Sequence, residues 1–312
     1  MIPLISIILP VYNGQEFLKK TISSVLNQSF NNFEFLIIDD HSSDNSLNII
    51  NSFQDSRIKL IKNNSNQGQI LTENKGLNIA KGKYIARIDQ DDIFLPKKLE
   101  KQINFLEKNP KITGIGTWAI HINEKDKIIK KIKTPTSNKE IIKVLLYNNP
   151  IFHPSVMFRK KEILELGSYN HKKKYTEDYA LWCQLLTSGY KLSNIPEYLT
   201  QYRIHNQQCS SNNKAIVKKN VLETRAIFLK KIFQEFKSNK KIILTDCSDK
   251  QLQEIAYYCA ENFIIKKDWA KANFMIKNIK YKHFLFKIFF YFNKNILIKY
   301  LRTKNKIKKR LM

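Results

Sequence analysis

Two groups of carboxylates in this 312-residue chain stand where chemistry is expected. Asp39-Asp40 follows the apolar run Phe33 to Ile38, and Asp89-Gln90-Asp91-Asp92 follows the run Lys83 to Ile88. A lone Asp pair after a strand suits turn and helix-capping chemistry. Three carboxylates within four residues are harder to place, because at a buried strand end they repel one another unless a cation or donor groups offset the charge. Oxygen-only ligands suit Mg²⁺ or Mn²⁺, and substrate phosphates commonly complete such sites. A further acidic pair, Glu177-Asp178, follows Thr176, a candidate helix cap. In the first helical turn the dipole favours the ionised carboxylate, which either simply complements that dipole or serves as a general base.

The elements that must hold these groups alternate strand and helix. Ile5 to Leu9 reads as a strand closed by Pro10 and the Asn13-Gly14 turn signal, and Phe17, Leu18, Ile22, Val25 and Leu26 then recur at helical spacing. Phe33 to Ile38, Ile58 to Ile61 and Lys83 to Ile88 read as further strands. Helices are predicted after Ser43-Asp44 and over residues 69–80. This alternation predicts a doubly wound, mostly parallel sheet with flanking helices, in which ligands gather at the carboxyl ends of the strands. The second stretch is more mixed. It has a helix after Pro96, strands at Ile112 to Trp118, Ser155 to Phe158 and Tyr190 to Ile195, and a helix from Thr176 closed by Gly189. No Gly-rich dinucleotide fingerprint or P-loop is present.

Six blocks resemble glycosyltransferase family 2, of GT-A fold. They are Ile8 to Asn13, Asp39 to Asp44, Gly82 to Asp92, His153 to Arg159, Glu177 to Trp182 and Tyr202 to His205, in order and at suitable spacing over roughly residues 3–211. The resemblance implies that Pro10, Val11, Tyr12, Asn13 and Glu16 line a nucleotide pocket. It implies that Asp40 accepts a hydrogen bond from uracil, which favours a UDP-sugar. Asp91 would sit by the ribose and sugar, while Asp92, with Asp89, would bind the Mn²⁺ or Mg²⁺ that holds the diphosphate. Asp178 would be the catalytic base of an inverting transfer, with Glu177 beside it among the substrate-binding residues. Arg203 or His205 would close over the diphosphate, with His205 either a metal ligand or a structural hydrogen-bonder. Many relatives carry a basic residue just before the equivalent of Asn74; this chain has Thr72-Glu73, and Lys75 or Lys83 is the expected substitute. His153, preceding Pro154, reads as structural, and His121 has no constellation around it.

Charge is uneven along the chain. The net value is +27, and residues 211–312 carry 25 Lys and Arg against 7 Asp and Glu. Residues 269–312 hold thirteen basic residues and no acidic one, interleaved with aromatics from Phe284 to Tyr300. We therefore divide the chain into a GT-A catalytic domain, 1–212, and a basic helical region, 213–312. The latter is expected to lie on an anionic membrane surface, with the polybasic segment Arg302 to Arg310 attracted by about 1 kcal/mol per charge. That suits a glycan or lipid-linked acceptor in surface polysaccharide synthesis and a cytoplasmic, peripheral location on the inner face of the membrane. Four unpaired-looking cysteines and an N-terminus without a basic leader fit the same compartment. Two other readings stay open. A nucleotidyltransferase shares the sheet and acidic site but normally uses a Gly-rich phosphate loop. A nucleic-acid-binding protein is suggested by charge alone, and only seven of the 54 basic residues are Arg, so no nucleic acid is expected.

Overall fold

The computed structural model describes residues 2–206, 208 and 212–238, with residue 271. The basic segment 272–312, and with it the expected membrane-facing part, lies outside the described residues. The strands are β1 Ile5–Val11, β2 Phe33–Asp39, β3 Ile58–Lys62, β4 Tyr84–Arg87, β5 Ile93–Phe94, β6 Ile112–Ile122, β7 Ile128–Ile132, β8 Met157–Arg159 and β9 Lys191–Arg203. The helices are α1 Leu18–Leu26, α2 Ser46–Asn51, α3 Gln69–Ile79, α4 Lys98–Lys108, α5 Asn138–Leu145, α6 Lys160–Glu165, α7 Glu177–Thr187 and α8 Lys214–Ser238.

One mixed sheet runs β3-β2-β1-β4-β8-β6-β9-β5, with β7 hanging on β6. Its first four strands are mutually parallel, as a fully buried run such as Phe33–Asp39 requires when helices cover both faces. Beyond β4 the sheet turns antiparallel through β8, and then parallel again between β6 and β9. The chain winds outward from β1 to β3 and then returns to the other side of β1 as β4. That reversal opens a crevice at the carboxyl ends of β1 and β4, the place where such sheets bind ligands. Register brings the key groups level: Val11 pairs with Asp39 and Ile8 with Arg87.

Alternation splits the core in two. Ile5, Ile7, Leu9 and Val11 face a layer with α1 and α4, while Ile8 faces the layer that holds α3, α5, α7 and part of α8. Gly82 lets the start of β4 press against β1, since a Cβ there would lie 2.4 Å from the Ser6 amide nitrogen.

Two elements differ from expectation. The last strand does not end at Ile195 but continues to Arg203. The ladder shifts register between Thr117 and Trp118, opposite Pro196, which has no N–H to give; a bulge absorbs the proline and pairing resumes at Tyr198. Residues His153–Ser155 form a 3₁₀ turn, so β8 begins only at Met157. The expected boundary at residue 212 falls just before α8. This helix packs Phe228, Leu229 and Ile232 into the core layer of Trp182 and Leu185 on α7.

Candidate active site

The crevice floor is stitched from three chain segments. Gln90 clasps the turn after β1: its Oε1 accepts from the Tyr12 amide at 2.9 Å and its Nε2 donates to the Tyr12 carbonyl at 3.1 Å. Asn13 adopts a left-handed φ of +49°, and its Oδ1 accepts from the Ser43 amide at 2.9 Å. Pro10 and Val11 are buried as the end of β1, whereas Tyr12, Asn13 and Glu16 are exposed at the rim. Asp40 is buried and holds the loop leading to α3. Its Oδ1 accepts from Asn63 Nδ2 and the Gln67 amide, and its Oδ2 from the Gly68 amide, at 2.8 to 2.9 Å. Three of its roughly four acceptor directions are therefore taken.

Asp89, Asp91 and Asp92 converge, each offering one oxygen within 4.8 Å of the others. Asp92 is the deepest. Burial, with the charges of Asp91 and Asp89, pushes its carboxyl well above the usual range, and its Oδ2 is buried without a hydrogen-bond partner. An orphaned buried oxygen in an all-oxygen set with excess negative charge fits a hard divalent cation. His205 Nε2 lies 2.7 Å from Asp91 Oδ2, which raises the imidazole's pKa and sets it beside Asp91 rather than within the carboxylate trio. Its ring also packs on Phe17, 5.3 Å between centroids.

Arg203 is placed differently from the expectation that it closes over a diphosphate. It is fully buried, with Nε donating to the Asp91 carbonyl and Nη1 to the Asn123 carbonyl. Its amide donates to Asp92 Oδ1 at 2.8 Å. The residue ties the end of β9 to the carboxylate turn.

Asp178 stands in the first turn of α7. Its Oδ2 accepts from Asn149 Nδ2 at 2.7 Å and its Oδ1 from the Tyr179 amide at 2.6 Å. Burial raises its pKa, and these two donors oppose the rise. Glu177, beside it, is pushed up to about 8 by burial and by the charges of Glu73 and Asp178. Thr176 occupies the N-cap position, but its hydroxyl donates to the Lys173 carbonyl and caps no amide of the helix.

The expected substitutes for a basic residue before Asn74 are engaged elsewhere. Lys83 is exposed at the far end of β4 and pairs with Glu107, and Lys75 donates to Asn63 Oδ1. The cation comes instead from Arg87 on β4. It is 2% exposed, binds Glu73 Oε1 through Nε and Nη2 at 3.0 and 2.8 Å, and pairs with Asp89 through Nη1. Sequence reasoning passed over Arg87 and Asn149. A lone arginine inside the run Ile85-Ala86-Arg87-Ile88 was a usable signal, since a buried guanidinium demands a partner; Asn149 offered none.

Comparison with known proteins decides the class. Residues 6–167 match the family model for glycosyl transferase family 2. The chain belongs to that family. Its acidic floor lies within the matched span, and Asp178 lies just beyond it. A glycosyltransferase of Haemophilus influenzae is 34% identical over 82% of this chain and 85% of its own. Escherichia coli WfaP, a UDP-Glc:α-D-GlcNAc-diphosphoundecaprenol β-1,3-glucosyltransferase, is 35% identical over 72% of this chain and 87% of its own. Among solved structures, S. aureus TarS 1-349 in complex with UDP-GlcNAc superimposes with a TM-score of 0.57 at 16% identity, covering 88% of this chain and 89% of that one. That likeness establishes the shared GT-A fold of this glycosyltransferase.

Proposed function

We propose that this glycosyltransferase is an inverting, metal-dependent enzyme. It moves a sugar from a UDP-sugar to a hydroxyl of a glycan or lipid-linked acceptor in surface polysaccharide synthesis. The observation that carries the reading is the orphaned Asp92 oxygen in a convergent carboxylate trio, near enough to the half-buried, doubly hydrogen-bonded Asp178 for the charge of Asp89 to act on it. The relatives' own substrates support the donor and acceptor classes.

Asp89, Asp91 and Asp92 would hold Mg²⁺ or Mn²⁺, which when bound supplies Lewis-acid stabilisation of a departing diphosphate. The chain's own residues do the rest. The turn from Pro10 to Asn13 and the loop fastened by Asp40 frame the nucleotide, with one acceptor direction on Asp40 left for the base. Glu16 lines the rim near His205, which steadies Asp91. Arg87 neutralises Asp89 and Glu73, and Arg203 fixes the carboxylate turn. Asp178 takes the proton of the acceptor hydroxyl as its oxygen attacks the anomeric carbon in line and the carbon–diphosphate bond breaks. The raised pKa of Glu177 favours its neutral form, which lessens the repulsion an ionised Asp178 meets. Attack opposite the leaving group inverts the anomeric centre.

Thermal unfolding with UDP, GDP, ADP, CMP and a short DNA duplex, each with and without Mn²⁺, tests this. UDP at a hundredfold its dissociation constant should stabilise the fold by about 2.7 kcal/mol, and only with metal. A shift with another nucleotide overturns the donor, and stabilisation by DNA alone overturns the enzyme reading. Membrane association rests on the charge of residues 269–312, and co-sedimentation with anionic liposomes at low salt checks it. Failure to pellet removes that part of the reading.

A further inference from the structure

Three aromatic rings meet beside the carboxylates without belonging to the core. His121 on β6 and Tyr202 on β9 are cross-strand partners, with ring centroids 5.3 Å apart. Phe152, in the turn before residues 153–155, lies 5.6 Å from His121, edge-on, and 5.7 Å from Tyr202. All three are half-buried, whereas the core aromatics Phe158 and Trp182 are wholly enclosed.

Their place is specific. Tyr202 immediately precedes Arg203, whose amide donates to Asp92 Oδ1, so the ring leaves β9 beside the carboxylate turn. Phe152 follows by three residues Asn149, which grips Asp178. His121 Nε2 is buried and has no hydrogen-bond partner. Burial and Lys130 hold this imidazole below its usual pKa, so it is neutral at pH 7 and able to donate or accept. A buried polar atom left bare costs stability unless a ligand satisfies it.

An apolar wall with one unmatched polar atom suits a pyranose, which offers C–H groups on its face and hydroxyls on its edge. We propose that His121, Phe152 and Tyr202 form the wall of the acceptor subsite and stack the terminal sugar ring of the acceptor, with His121 Nε2 bonded to one of its hydroxyls. This rests on the transferase reading with Asp178 as base. Stacking there presents an edge hydroxyl to Asp178, and the hydroxyl bonded to His121 helps decide which one is presented. The wall thus bears on linkage as well as affinity.

Saturation-transfer NMR on the full chain, with UDP and Mg²⁺ present, provides the test. The probes are methyl glycosides of glucose, galactose, N-acetylglucosamine and N-acetylgalactosamine. At least one should receive saturation on the C–H protons of one ring face. Phe152→Ala should weaken that binding about five- to tenfold, and Phe152→Tyr should keep it within about twofold. UDP affinity by calorimetry should be unchanged in both. Absence of any bound glycoside, or equal binding by Phe152→Ala, overturns the wall. Displacement of the glycoside by UDP-glucose or UDP-N-acetylglucosamine but not by UDP overturns the acceptor assignment and moves the wall to the donor sugar. Glycoside binding by a wild-type chain that does not bind UDP would leave a sugar wall standing while overturning both the transferase reading and the acceptor role.

Discussion

Glu73 on α3 puts a negative charge beside the acidic floor, and the cation that balances it comes from Arg87 on β4. Both side chains are almost wholly buried, so neither tolerates the loss of the other. Arg87→Met should destabilise the fold by about 3–5 kcal/mol, because the buried Glu73 carboxylate is left without its cation and must either stay charged unpaired or take up a proton. The double variant Arg87→Met, Glu73→Leu should recover much of that loss in denaturant unfolding while transfer stays impaired, since Asp89 remains unneutralised. For the proposed base, Asp178→Asn should lower turnover by at least about 10²-fold with UDP affinity within about twofold, measured by transfer assay and calorimetry. Asn149→Ala tests the support of that base. The amide bond favours the ionised carboxylate, so its removal should raise the Asp178 pKa and move the acid limb of the kcat/KM profile to higher pH.

Helix α4 carries an internal cost that its packing outweighs. Lys98 is fully buried on it, with Nζ on Gln102 Oε1 at 2.9 Å and 3.6 Å from the centroid of the Phe94 ring. Burial pushes the amine well below its usual range. The unfolded chain therefore binds a proton that the folded chain resists, and this lysine's penalty is greatest at low pH and fades as pH climbs toward the unfolded value near 10.4. Lys98→Met should raise Tm at neutral pH, and differential scanning at several pH values should show the gain shrinking in alkali. The sequence did not announce this, because the Lys97-Lys98 pair after Pro96 looks like solvated helix surface. The strands were legible for the opposite reason. Runs such as Phe33–Asp39 are apolar on both faces apart from Glu34 and the terminal Asp39, and a parallel strand covered on both sides is the comfortable place for them. β9 was half legible: Tyr190 to Ile195 showed its apolar start, while Pro196 masked a continuation that only a bulge against β6 allows. The acidic floor was readable because carboxylates cluster in sequence. Asn149, His121 and Phe152 join it through pairing and turns separated by dozens of residues, and no local pattern marks them.

Across the whole molecule the described residues form one sheet whose two core layers meet the active crevice from opposite sides. α7 carries the proposed base, Asp178, at its first turn and is backed by α8, which supplies Phe228, Leu229 and Ile232 to the same layer as Trp182 and Leu185. A split at residue 212 would therefore cut through packing rather than through a linker. A recombinant fragment of residues 1–212 should expose the α7 surface, aggregate on size-exclusion chromatography and lose the sharp unfolding transition. A fragment of residues 1–238 should elute as a discrete species and give the same stabilisation by UDP and metal that is measured for the full chain. A protease that clips after α8 should leave activity on soluble acceptors intact, whereas one that clips before it should silence the enzyme. We propose that the practical border of the catalytic unit lies beyond the α8 side chains packed on the α7 layer rather than at the polar run that precedes the helix.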